Sequence, residues 1–175
     1  GSGVDMTSLG NFSIGCAPTA SGTLSLTNGP LNIGGNTLTL GTSGVLTGTL
    51  STSSGAIIHS AGGGFQRWVP ASLAPTSVGI ASSQFPLGVL VNGTLMRRDI
   101  WVAHSLSTLT AAGTMRASHT NTAGLTTVTP FTEGGISHNN RSNSFWTVTT
   151  ANGYNSGTAT FSTRIQGSGM VSPKN

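Results

Sequence analysis

Polar and apolar residues alternate at period two along most of this chain. The pattern is clear in Thr-Leu-Ser-Leu-Thr at 23 to 27 and Thr-Leu-Thr-Leu at 37 to 40. It returns in Ile-Trp-Val-Ala at 100 to 103, Leu-Thr-Thr-Val-Thr at 125 to 129, Phe-Trp-Thr-Val-Thr at 145 to 149, and the run from 158 to 165. A side chain on every second position facing the same way is the signature of a half-buried strand. No stretch carries a helical period. Asn28-Gly29, Asn92-Gly93 and Asn152-Gly153 supply turns suited to positive φ. The pattern predicts an all-β protein.

Within that class the chain changes grammar along its length. From 22 to 63, short apolar pairs recur every ten to fourteen residues, each closed by glycine: around Leu24, at Leu31 to Ile33, around Leu38, from 46 to 50, and at Ala56 to Ile58. Short, even spacing of this kind predicts a β-solenoid-like or meander segment, whose open end strands need a cap or a neighbour. From 64 to 175 the chain holds all three tryptophans, Trp68, Trp101 and Trp146, and several longer strands, which fit one β-sandwich of jelly-roll or Ig-like form. Gly62-Gly63-Gly64 marks the change, either as a hinge or as a turn joining two parts of one core.

Residues 1 to 21 form a third segment. Val4, Met6, Phe12, Ile14 and Cys16 all fall on even positions, mostly separated by polar residues or glycine. One long strand with an apolar face follows from that spacing. Two roles are open to it: an edge strand of its own domain, or a donor strand that completes the sheet of a neighbouring subunit.

Composition sharpens the picture. Charged residues make up 6% of the 175-residue chain and apolar residues 35%, and residues 6 to 66 contain no Asp, Glu, Lys or Arg. Formal charge keeps soluble monomers apart, so a surface without it is either hydroxyl-rich and solvated or covered by another subunit. The net charge of +4 comes from seven dispersed cations against three carboxylates. No basic run tracks a phosphate backbone, so nucleic acid is not an expected partner. No apolar run reaches membrane-spanning length. Cys16 is the only cysteine, which leaves no intramolecular disulfide.

Candidate chemistry is sparse. Asp5, Asp99 and Glu133 are far apart, and Asp99 follows two arginines, one of which is its expected partner. His59, His104, His119 and His138 share no metal-ligand spacing and read as dispersed surface histidines. No nucleophile elbow or phosphate cradle is present. The sequence is read as non-enzymatic, with no cofactor or metal.

The phrase Gly-Thr-Leu-Ser-Leu-Thr-Asn-Gly at 22 to 29, followed by Leu-Asn-Ile-Gly-Gly-Asn-Thr-Leu-Thr-Leu-Gly at 31 to 41, resembles the repeats of secreted surface and adhesin proteins of Bacteroidota. Phe-Pro-Leu-Gly at 85 to 88 and the later Arg141…Trp146-Thr-Val148 strand resemble the sandwich that follows such repeats. The resemblance implies a protein that is extracellular or at the cell surface, after removal of a signal peptide. Together these observations predict a structural subunit of an extracellular filament, polymerising with itself by β-strand addition through Val4, Met6, Phe12, Ile14 and Cys16. The alternative is an adhesin or carbohydrate-binding module in which Trp68, Trp101 or Trp146 stacks on host or matrix glycans.

Overall fold

The computed structural model describes residues 4–5, 12–14, 22–71, 77–105, 109–133 and 135–167. They form an all-β, sandwich-like fold with no closed barrel. Its first part is a parallel solenoid with three strands per coil. The first coil contains β1 (Val4–Asp5), β2 (Phe12–Ile14) and β3 (Thr23–Leu26). The second contains β4 (Pro30–Asn32), β5 (Thr37–Leu40) and β6 (Thr49–Thr52). A third coil begins with β7 (Ala56–Ile58) and β8 (Gly64–Val69), and a 3₁₀ turn, Ala81–Ser83, leads into β9 (Gln84–Phe85).

The register makes the repeat explicit. Leu24 lies beside Leu50, Leu31 beside Ile57, and Phe12 beside Leu38, in parallel pairs that each advance 26 residues. Two leucines on alternate positions of β3 and β5 point inward, while Thr23, Ser25, Thr37 and Thr39 face outward. That is the period-two alternation at work. The run expected as a strand from 46 to 50 starts later, at Thr49. The Ser43 hydroxyl accepts the N–H groups of Val45 and Leu46 at 3.3 and 3.1 Å, so local hydrogen bonds hold this stretch as a loop, with Val45 87% exposed.

The solenoid sheets run on into the sandwich. One sheet has the order β1-β4-β7-β10-β11-β16, where β10 is Leu87–Val91, β11 is Thr94–His104 and β16 is Phe161–Gly167. The other has the order β15-β12-β8-β5-β2, where β12 is Gly113–Thr120 and β15 is Phe145–Ala151. Pairing is parallel in the solenoid and antiparallel beyond it. Asn92 and Gly93, with φ of 50° and 76°, close the β10–β11 hairpin in the two-residue turn anticipated from the sequence.

The composition change at 62 to 64 falls on a turn inside this continuous pairing. β8 bonds β5 on one side and β12 on the other. One buried cluster joins Leu24, Leu38 and Ile57 of the solenoid to Phe65, Phe85, Ile100 and Met115. Phe65 and Phe85 meet edge-to-face at 6.0 Å. Burying each such side chain contributes about 1.5–3 kcal/mol, so the cluster ties the two parts into one cooperative body.

One hairpin stands apart. β13 (Leu125–Glu133) and β14 (Ile136–Ser142) pair with each other and, among the described residues, with no other strand. Their described side chains are exposed except for Val128 and His138, which are half-buried.

Candidate functional site

The predicted donor residues lie at the outer edge of the first coil. Val4 in β1 pairs with Leu31, and Phe12 and Ile14 in β2 pair with Leu38 and Leu40. Met6 and Cys16 fall outside the described residues. β1 and β2 are the terminal strands of their sheets, so each has one edge without a strand partner among the described residues. β3 also pairs on one side only, with β6. Among the described residues, each strand of the first coil therefore pairs on one edge with the second coil and has no strand partner on the other.

The opposite end of the solenoid interior is closed by a polar clamp. Arg67 sits beside Leu40 in the strand ladder but carries a guanidinium, 7% exposed, into the interior. Its Nη1 donates to the carbonyls of Ala81 and Gln84 at 2.7 and 2.9 Å, tying the 3₁₀ turn and β9 across the end of the coil. Burial pulls its pKa down to about 10. Gln84 then accepts from the Thr52 hydroxyl at 3.0 Å and donates to Asp99 Oδ2 at 3.0 Å. Arg97 grips the same carboxylate with two bonds, at 2.6 and 3.2 Å, and donates to the carbonyls of Ser53 and Gly55. The Arg97–Asp99 pair expected from the sequence is thus present. Burial raises the Asp99 carboxyl above its ordinary range despite the opposing pull of Arg97 and Gln84. These bonds run from β8 to the 3₁₀ turn and β9, and from β9 to β6 and β11, so the clamp holds the end of the coil together.

Two histidines meet where the solenoid joins the sandwich. The His119 backbone N–H donates to His59 Nε2 at 3.0 Å, and His59 Nδ1 lies 2.9 Å from the Ser60 carbonyl. His119 also packs against Trp146, with ring centroids 4.6 Å apart. Burial first, and then the charges of Arg98 and His59, hold the His119 pKa at about 4. This corrects the expectation of dispersed surface histidines: His104 and His119 are buried, because both lie on strands. The loop-like Ser, Thr and Asn around His119 concealed a strand end. Among the described residues, no group of His, Cys, Asp and Glu is arranged to hold a metal ion.

The tryptophans are dispersed as well. Trp101 is 5% exposed and lies under the Arg164 guanidinium, 5.3 Å from the ring centroid. Trp146 donates its indole N–H to the Arg98 carbonyl at 2.8 Å and packs on the core cluster. Trp68 is half-buried on β8. The three rings do not share a face.

A feature missed in the sequence is the open side of the sandwich. β15 and β16 are the last strands of the two sheets and border one cleft of about 360 Å³, lined by Val102, Met115, Val148, Tyr154 and Phe161 among others. The alternation Phe161-Thr163-Ile165 was a signal for an apolar strand face, but sequence could not show that, among the described residues, no strand would pair beyond it.

No protein-family model, curated protein or solved structure matches this chain. Its function must be read from its own geometry. No helix among the described residues is long and apolar enough to cross a membrane.

Proposed function

We propose that this chain is a structural subunit of an extracellular filament or surface appendage whose copies join by β-strand addition. The observation that carries the reading is the N-terminal segment, held in its own fold by two short parallel registers, Val4 to Leu31 and Phe12 to Leu38. The sheets that receive it continue without it through β4, β7 and β10 and through β5, β8 and β12. The same segment of another copy can make the same pairings. Exchange of an identical element between copies costs little, and when each copy gives to the next it builds an open chain. Main-chain hydrogen bonds supply the affinity, and alternate apolar side chains set the register.

The charge-free run from 6 to 66 supports this reading, because it includes β2 and the β4 and β5 strands that β1 and β2 pair with. The extracellular setting follows from the resemblance to secreted surface repeats. Deleting residues 1 to 16 should leave a folded monomer with β4 and β5 as its edge strands and abolish assembly in negative-stain electron microscopy. Filaments that persist after the deletion would overturn the donor role of Val4, Met6, Phe12, Ile14 and Cys16.

A further inference from the structure

The β3–β6 sheet pairs with no other strand among the described residues. Side chains tie the end of β6 to the sandwich, and one of these ties brings together a nucleophile, an acyl group and a carboxylate. Thr52 ends β6 and Gln84 begins β9, and the Thr52 hydroxyl donates to Gln84 Oε1 at 3.0 Å. Gln84 Nε2 donates in turn to Asp99 Oδ2 at 3.0 Å. A carboxylate only accepts, so Asp99 takes the nitrogen end of the amide and turns its carbonyl toward Thr52. Thr52 Oγ1 is therefore no more than about 4.2 Å from the carbonyl carbon, Gln84 Cδ.

All three groups are held in place. Arg97 grips Asp99 at 2.6 and 3.2 Å and donates to the carbonyl of Ser53, next to Thr52, at 2.6 Å. One guanidinium thus fixes the carboxylate and the strand end that carries the nucleophile. Arg67 fixes the Gln84 backbone through its carbonyl at 2.9 Å. Gln84 and Asp99 are 6% and 1% exposed, so bulk water competes little for the amide. Aligned groups held at this range reach effective concentrations of about 10⁵–10⁸ M, the scale of help that an unactivated amide needs. A cleft of about 290 Å³, bordered by Thr52, Gln84, Asp99 and Trp101, opens beside them.

We propose that Thr52 and Gln84 join in an intramolecular ester, with Asp99 as the catalytic residue. Thr52 Oγ1 forms a bond to Gln84 Cδ and the Cδ–Nε2 bond breaks. The hydroxyl proton passes through Asp99 to the nitrogen, which leaves as ammonia by way of the cleft. No oxidant, metal or second substrate enters. Burial raises the Asp99 carboxyl above its ordinary range, which suits a group that holds a proton in transit. The crosslink binds β6 to β9 covalently, in a chain whose single cysteine allows no internal disulfide. It lies within one copy and does not depend on how copies assemble.

Intact-mass spectrometry of the full chain, followed by a tryptic digest, tests this. No lysine or arginine precedes Arg67, so Thr52 falls in the tryptic peptide 1–67 and Gln84 in 68–97. The chain is expected to be lighter than its sequence by one ammonia. The two peptides are expected to run as one species, which mild alkali separates because it hydrolyses an ester and spares an amide. Thr52→Ser should keep the link, whereas Thr52→Val and Asp99→Asn should lose it while circular dichroism shows the same fold. A wild-type chain of full sequence mass that yields the two peptides separately would overturn the ester. Ammonia loss without linked peptides, as from cyclisation at an Asn-Gly pair, would overturn it as well. A link that persists in Thr52→Val would rule out Thr52 as the nucleophile, and one that forms fully in Asp99→Asn would rule out the role of Asp99. Strand exchange between copies is tested separately, by the deletion of residues 1 to 16.

Discussion

His119 is a buried imidazole whose two ring nitrogens have no hydrogen-bond partner among the described residues. Burial and the neighbouring Arg98 and His59 keep it neutral, with a pKa of about 4. The unfolded chain binds a proton at this residue near pH 6.5, the folded chain only near 4. Stability is therefore full above pH 6.5 and is lost as the pH falls toward 4. His59, lowered mainly by burial, acts in the same direction. Asp99, raised above 3.8, acts in the opposite direction: its folded form prefers the proton, so its contribution falls as pH rises through its folded pKa. Urea titrations from pH 7 to pH 4.5 should show a loss on the order of 2 kcal/mol that shrinks in His119→Gln; equal slopes in the two proteins would contradict the assignment. Asp99 itself binds both Arg97 and Gln84 at 1% exposure. Asp99→Ala removes the acceptor of the buried Gln84 amide and of the half-buried Arg97 and should cost about 3 kcal/mol by the same titration.

Among the elements, the solenoid depends on close backbone stacking. A Cβ on Gly63 would overlap the Gly34 carbonyl of the preceding coil and come within 2.9 Å of the His59 Cβ. Gly63→Ala should therefore lower stability by about 2 kcal/mol, read from the urea midpoint. Much of this level was legible beforehand. Thr-Leu alternation located β3 and β5, and Asn92-Gly93 located the β10–β11 turn. Those signals are local, fixed by the pleat and by positive φ. What remained hidden depends on distant partners. Arg67, Gln84 and Asp99 are separated in sequence, and only the closing of the third coil over β9 makes them one clamp. The His59–His119 contact likewise spans 60 residues and exists because β12 pairs with β8 just past the turn that carries His59. The cleft needed knowledge of which strands end each sheet, which alternation does not encode.

At the scale of the molecule, two parallel sheets of a solenoid become the two sheets of a sandwich without a break in pairing. That continuity makes the first coil an extension of the main body and leaves its strands at an edge. Natural sheets usually protect such edges with charge or proline; here β1 carries Asp5, whereas β2 and β3 lie in the uncharged run from 6 to 66. The central claim is that β1 and β2 are exchanged between copies. It can be tested by placing cysteines at Ser13 and Thr39, direct partners across β2 and β5, in a Cys16→Ser background. Adjacent strand partners can come within disulfide reach. Oxidation of the assembled protein should give a ladder of covalent dimers, trimers and higher species on a non-reducing gel. A single monomer band containing an internal disulfide would show that each chain keeps its own strand and would contradict the account.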